Sequence, residues 1–153
     1  MKRLLGLIYY YNEDLKKSLH TFLSISQFIE RKRKEQENYI IGNDDFPWFD
    51  YFEVIQYISI IYYKTGEYDK AITYANYVIG NLPELFDENG ESAEDDVLFG
   101  IDSFIIRMNI NMHNDDFKKV IADYEKVKGY LDWEYWETGY ADIVKYIEEK
   151  TVA

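Results

Sequence analysis

The most regular alternation of hydrophobic and polar positions lies in the middle of the chain. From Phe52 to Lys64 apolar residues recur at steps of three and four, the spacing that places them on one face of a helix. Thr65-Gly66-Glu67 then supplies turn residues, and a second run of the same period extends from Tyr68 to Leu82. Pro83, without an amide hydrogen, stops it. The pattern predicts two helices joined by a tight turn.

The same order of residues occurs twice more. Ile55, Ile58-Ser59, Tyr62, Ala71, Ala75 and Val78 define it in the middle copy, and a shift of 53 residues upstream finds Leu5-Gly6, Tyr9, Ser18, Phe22 and Ile25. A shift of 49 residues downstream finds Phe104, Met108, Phe117, Val120, Tyr124 and Val127. This third copy departs from the others, with Arg107 where Leu is expected and Asn111 where Tyr is expected. Small side chains at Gly6, Ser18, Ser59 and Ala71 would let the paired helices approach closely. The copies lie near 2–30, 52–85 and 101–131, and Trp133-x-x-Trp136-Glu137-x-x-Tyr140 opens a last helix, 133–149. Asp142, Lys145, Glu148, Glu149 and Lys150 give that helix the polar outer face of a cap on an array.

Helices are therefore expected near 2–11, 13–37, 47–64, 67–81, 93–113, 115–130 and 133–149. Asn12, Asn114 and Asp132 are the expected N-caps, each followed by acid that suits the positive end of a helix. The spacings exceed the length of a helical hairpin, so two insertions are needed. The first comprises the charged run Glu30–Glu37, which lengthens a helix, and a loop through Gly42-Asn43-Asp44-Asp45, after which Pro47 starts the next helix. The second is the acidic loop Asp87–Glu91, closed by a Ser92-x-x-Asp95 cap.

These residues resemble the tetratricopeptide repeat (TPR), whose 34-residue pattern sets a large residue, a Leu-Gly pair, a Tyr, small packing positions and a Pro in the order met at Ile55, Ile58-Ser59, Tyr62, Ala71, Ala75, Val78 and Pro83. The resemblance implies an all-α fold of antiparallel helical hairpins stacked as a short right-handed α-solenoid, in one domain. It further implies a concave groove lined by the first helix of each hairpin. The groove positions carried over are Arg3, Leu7, Tyr10 and Tyr11 in the first copy, and Glu53, Gln56, Ile60, Tyr63 and Lys64 in the second. In the third they are Asp102, Ile105, Asn109, Met112 and His113. Tyr9 and Tyr62 take the inter-helix packing position, which leaves Tyr10, Tyr11 and Tyr63 to be exposed. Family members that grip a C-terminal carboxylate use Lys and Asn where this chain has Gln56 and Ile60, so that ligand is not expected here.

Composition narrows the chemistry. Sixteen Tyr, nine Phe and three Trp make the core and any interface aromatic. With no cysteine, disulfides, thiolate metal sites and a Cys nucleophile are excluded, which suits a cytoplasmic protein. The two histidines, His20 and His113, lie in no metal-binding spacing; His113 beside Asp115 and Asp116 reads as a turn and a cap. In the acidic loop Gly90 falls at the fourth position from Asp87, where a calcium-binding EF-hand needs glycine at the sixth. No phosphate-binding glycine loop or nucleophile elbow is present, so no metal, cofactor or enzyme activity is expected.

The formal charge of −12, from 29 Asp and Glu against 17 Lys and Arg, disfavours nucleic acid and anionic membrane and favours a basic protein or peptide. The reading that follows is a non-enzymatic adaptor with a Tyr-rich groove. Its alternative is an acidic immunity or inhibitor protein that neutralises a basic toxin or a nucleic-acid-acting enzyme. Leu4, Leu5 and Ile8 on the first helix are expected to be exposed, which is compatible with a homo-oligomer.

Overall fold

The computed structural model describes residues 2–35, 48–81, 100–128 and 140–152, and among these it is wholly helical. In chain order the helices are α1 (Lys2–Tyr11), α2 (Leu15–Glu35), α3 (Trp48–Lys64), α4 (Tyr68–Asn81), α5 (Ile101–His113), α6 (Phe117–Val127) and α7 (Ala141–Val152). Helices α1 and α2, α3 and α4, and α5 and α6 pack as pairs, each joined by three residues, a length that forces the partners antiparallel. Successive pairs meet through α2 on α3 and α4 on α5, and α7 rests on α5 and α6. Pro47, Pro83, the loops at Gly42–Asp45 and Asp87–Glu91, the caps Ser92 and Asp132, and Trp133, Trp136 and Glu137 lie outside the described residues.

The three turns share one backbone form. Glu13, Gly66 and Asp115, separated by the same 53 and 49 residues as the sequence copies, all adopt positive φ, at 62°, 82° and 52°. The Glu13 amide donates to Tyr10 O at 3.0 Å and the Asp14 amide to Tyr9 O at 2.9 Å. Gly66 and Glu67 repeat those bonds to Tyr63 and Tyr62, and Asp115 and Asp116 repeat them to Met112 and Asn111. This Schellman closure satisfies the carbonyls left over at the end of the first helix. It also moves the caps: Asp14 Oδ1 accepts from the Lys17 amide and Asp116 Oδ1 from the Lys119 amide, so the caps expected at Asn12 and Asn114 fall two residues later. Asn12 and Asn114 belong to the turn because the helix before them is still closing its last bonds.

Close approach at the hairpin crossing follows from the small residues. A Cβ on Gly6 would stand 2.6 Å from the Phe22 ring, so only glycine admits that side chain. Ser18 donates its hydroxyl to Gly6 O at 2.8 Å, while in the second pair Ser59 donates to Ala71 O at 2.7 Å. These four residues hold equivalent positions, and the serine has changed helices without loss of the bond. The third pair fills the same place with Met108 and Val120, both fully buried.

Helix α3 is enclosed on nearly every side: Tyr51, Phe52, Val54, Ile55, Tyr57, Ile58, Ile60, Ile61 and Tyr62 are all buried. Its apolar residues lie all round, as in a helix at the centre of a core. The two departures of the third copy have separate surroundings. Arg107, standing where Leu was expected, makes two bonds of 2.6 Å to the Asp123 carboxylate and one of 3.0 Å to Asn76 on α4. Asp123 is buried, so that partnership replaces an apolar contact with an ion pair inside the hairpin. Asn111 is buried in the place held by Tyr62 in the second hairpin.

Four variants test this description. Glu13→Gly relieves the cost of a left-handed non-glycine residue and raises unfolding free energy in urea by roughly 0.5–1 kcal/mol, whereas Gly66→Ala lowers it by about 1 kcal/mol. Arg107→Ile strands the Asp123 carboxylate and costs about 3 kcal/mol. Arg107→Ile combined with Asp123→Tyr, the pair found as Ile58 and Tyr74 in the second hairpin, restores most of that loss in the same melts.

Candidate functional site

The residues expected to line a groove lie along the seam where α1, α3 and α5 come together. Arg3 on α1 pairs with Glu53 on α3. Farther along, the hydroxyls of Tyr11 and Tyr57 are 2.9 Å apart, and Lys64 donates to the Tyr10 hydroxyl at 2.6 Å with its ammonium 4.7 Å from the Tyr10 ring centre. Between α3 and α5, Gln56 Oε1 accepts from the Ser103 hydroxyl at 3.0 Å and the Ser103 amide at 3.3 Å. The chain thus spends several of these polar groups on bonding its own first helices to one another.

Burial divides the expected residues. Arg3, Leu7, Gln56, Tyr63 and Met112 are half-buried, and Tyr11 and Lys64 are exposed. Tyr10, Ile60 and Asn109 are buried, which corrects their placement on an open groove, as do Asp102 and Ile105 beside them. Each has a physical reason. Tyr10 sets its ring edge-on to Tyr57 at 4.9 Å and lies under Lys64, so the step of ~100° from Tyr9 turns it toward α3 and out of solvent. Ile60 sits in the enclosed middle of α3, and the Asn109 side-chain amide donates back to Ile105 O at 3.0 Å inside α5. Tyr9 is half-buried where full burial was expected, while Tyr62 is buried and stacks on Tyr74.

One end of the seam carries an aromatic cluster. Tyr63 packs against Tyr68, and Tyr68 stacks on His113 with ring centres 5.6 Å apart and planes 13° apart. Burial raises the Tyr63 hydroxyl above its ordinary titration range, with Tyr68 and then Asp142 of α7 adding to the shift. Helix α7 is held here by the third turn: Tyr146 donates to Asp115 at 2.8 Å, Lys150 lies 2.8 Å from the same carboxylate, and Phe117 meets the Tyr146 ring. These contacts hold the Asp115 carboxyl below its usual range, the bond from Lys150 being the largest cause.

A second concave region, between α2 and α4, was not legible in the sequence. Glu30, Tyr51, Tyr74 and Tyr77 line a cavity of about 570 Å³ there. Tyr51 donates to Glu30 at 3.0 Å and Arg33 to the Tyr77 hydroxyl at 3.3 Å. Burial first, then Tyr77 and Glu30, pushes the Tyr51 phenol far above its ordinary range. The signal that could have pointed to it was the Glu30 and Arg33 pair inside the charged run, which reads along the sequence as solvated surface.

Among the described residues no three His, Asp or Glu side chains converge as a metal site, and no helix is long and apolar enough to cross a membrane. Comparison with protein-family models, curated proteins and solved structures returned no match for this chain.

Asp115 gives this region a pH signature. A carboxyl with a lowered folded pKa contributes its stabilisation above the unfolded value and loses it as pH falls through the folded one. Asp115→Asn therefore reduces hydrogen-exchange protection of α7 relative to α3 at neutral pH. That difference from the unsubstituted chain disappears once the medium is acid enough to protonate Asp115.

Proposed function

We propose that this chain is a non-enzymatic, TPR-like protein-binding module, a short right-handed α-solenoid that takes a peptide or helix from a partner along the seam of α1, α3 and α5. The observation that carries the reading is the recurrence of one turn, with the same bonds, at the residue spacings at which the sequence motif recurs. Repeats of this kind stack so that equivalent helices form a continuous face. The residues available for contact there are Tyr11, Tyr63, Lys64, Met112 and His113, with Arg3, Leu7 and Gln56 at the margins. Tyrosine suits such a role because it offers large rigid area and a hydroxyl at small entropic cost. A cytoplasmic setting and a basic or mixed partner belong to the same proposal.

A second reading rests on charge. Residues 36–153 carry 25 Asp and Glu against nine Lys and Arg, so most of the chain has the field of an inhibitor for a basic enzyme. Such a protein associates at a rate that falls steeply with added salt, whereas recognition through the tyrosine seam is governed mainly by dissociation.

The test is Tyr63→Ala combined with Lys64→Ala. A partner retained by the unsubstituted chain in affinity purification should bind the variant about 30-fold more weakly, on the scale of interface hot spots, with helical circular dichroism unchanged. Undiminished binding by a folded double variant removes the seam from the proposal.

A further inference from the structure

Large hydrophobic side chains exposed to solvent are concentrated in the first hairpin. Leu4 is 56%, Leu5 42%, Ile8 55% and Phe28 50% exposed, joined by Tyr11. Elsewhere among the described residues only Tyr68 and Val152 share that property.

The internal repeat says what such a face receives. Leu4, Leu5 and Ile8 correspond to Tyr57, Ile58 and Ile61 in the second hairpin and to Ile106, Arg107 and Ile110 in the third. All of these are buried except Arg107, which is half-buried, and in both hairpins the preceding helix covers the face: α2 lies on α3, and α4 lies on α5. Phe22 of α2 stacks on Tyr57 at 5.5 Å, and Asn76 of α4 accepts from Arg107. The stripe of Lys17, Thr21, Ser24 and Phe28 along α2 behaves alike. Its counterparts on α4 include Tyr74 and Tyr77, which share the cavity with Ser26 and Glu30 of α2. The open face of the first hairpin is thus the equivalent of two surfaces that each hold a helix.

Charge identifies the flanks of a helix that would cover this face. Residues 2–35 carry eight Lys and Arg against four Asp and Glu, the reverse of the balance in the rest of the chain. Lys16, Lys17 and His20 are exposed and line a shallow depression with Leu5, Tyr9 and a single carboxylate, Asp14, which pairs with Lys17, and Lys2 and Arg31 are exposed on the same hairpin. We propose that this face docks an amphipathic helix of a partner protein, its apolar stripe covering Leu4, Leu5 and Ile8 and its flanks carrying Asp and Glu. Self-pairing of the face about a two-fold axis would set basic rim against basic rim. The outer positions of α7 (Asp142, Lys145, Glu148 and Glu149) are exposed and polar, so the far end of a second copy offers no matching stripe.

The test uses the full chain and two stapled peptides that carry the sequence of α4, the helix covering the equivalent face of α5. In one, the exposed positions 70, 73 and 80 are all glutamate, and in the other all are lysine. In fluorescence anisotropy at low salt the glutamate peptide should bind about tenfold or more tightly than the lysine peptide, with the gap closing as salt rises. Ile8→Asp should weaken glutamate-peptide binding by about tenfold. Leu4→Ser, which adds no charge, should weaken it less, both variants keeping their helical circular dichroism. Equal binding of the two peptides, absence of binding, or indifference to Ile8→Asp overturns the proposal. So does uptake onto phosphatidylserine vesicles without peptide binding, which would make the face a membrane surface. A sedimenting dimer abolished by Ile8→Asp overturns it as well, since a second copy would then fill the face.

Discussion

The distance between paired helices at their crossing point is the constraint on which the other contacts depend. Gly6 gives the Phe22 ring a place against the α1 backbone, and a hydroxyl–carbonyl bond closes the crossing in each of the first two hairpins. Such a bond carries information that apolar packing lacks, because it fixes the rotation and the register of one helix on the other. In the third hairpin Met108 and Val120 occupy the crossing, and the Arg107 and Asp123 pair supplies the directional contact one residue earlier on α5. Register is thus set by a polar bond in every hairpin, with different chemistry in the third.

Once register is fixed, the turns follow. Three residues suffice to reverse the chain when the middle one adopts positive φ, and of the three described hairpin turns one uses glycine for this, at Gly66. Glu13 and Asp115 accept the strained region at a cost of ~1–2 kcal/mol each. At Asp115 something is gained in exchange, since its carboxylate anchors Tyr146 and Lys150 of α7. A residue that reads along the sequence as part of a cap is in the fold the point at which the last helix is fastened.

Charge also has a different meaning once the fold is known. A single value of −12 suggests uniform repulsion of anions, yet the first hairpin is basic and the remainder is acidic. The basic hairpin and the acidic remainder therefore carry fields of opposite sign, and the seam of α1, α3 and α5 crosses from one to the other. Part of that seam is already satisfied internally, through Arg3 with Glu53, Lys64 with Tyr10 and Gln56 with Ser103. A ligand of the kind proposed would have to compete with these bonds or build on the aromatic end at Tyr63, Tyr68 and His113.

Local periodicity determined most of the helices and their pairing, because apolar residues at steps of three and four and a reversal at Gly66 are properties of short stretches; the helices expected at 93–113 and 133–149 instead begin at Ile101 and Ala141, with Gly100 and Tyr140 non-helical, and the last runs to Val152. The close contacts at Gly6, Ser18, Ser59 and Ala71 were legible for the same reason: a missing side chain is visible in any context. Tertiary structure alone decided which side of each first helix faces solvent. Tyr10 and Tyr11 are neighbours of identical chemistry, yet the first is 5% and the second 61% exposed, because α3 packs against the ring of the first and meets the second only at its hydroxyl. Ile60 and Asn109 were drawn inside by the same effect, and Glu30 met Tyr51 across 21 residues of chain. No pattern within a helix records where its neighbours will sit, since their positions are set by the packing of all the helices together.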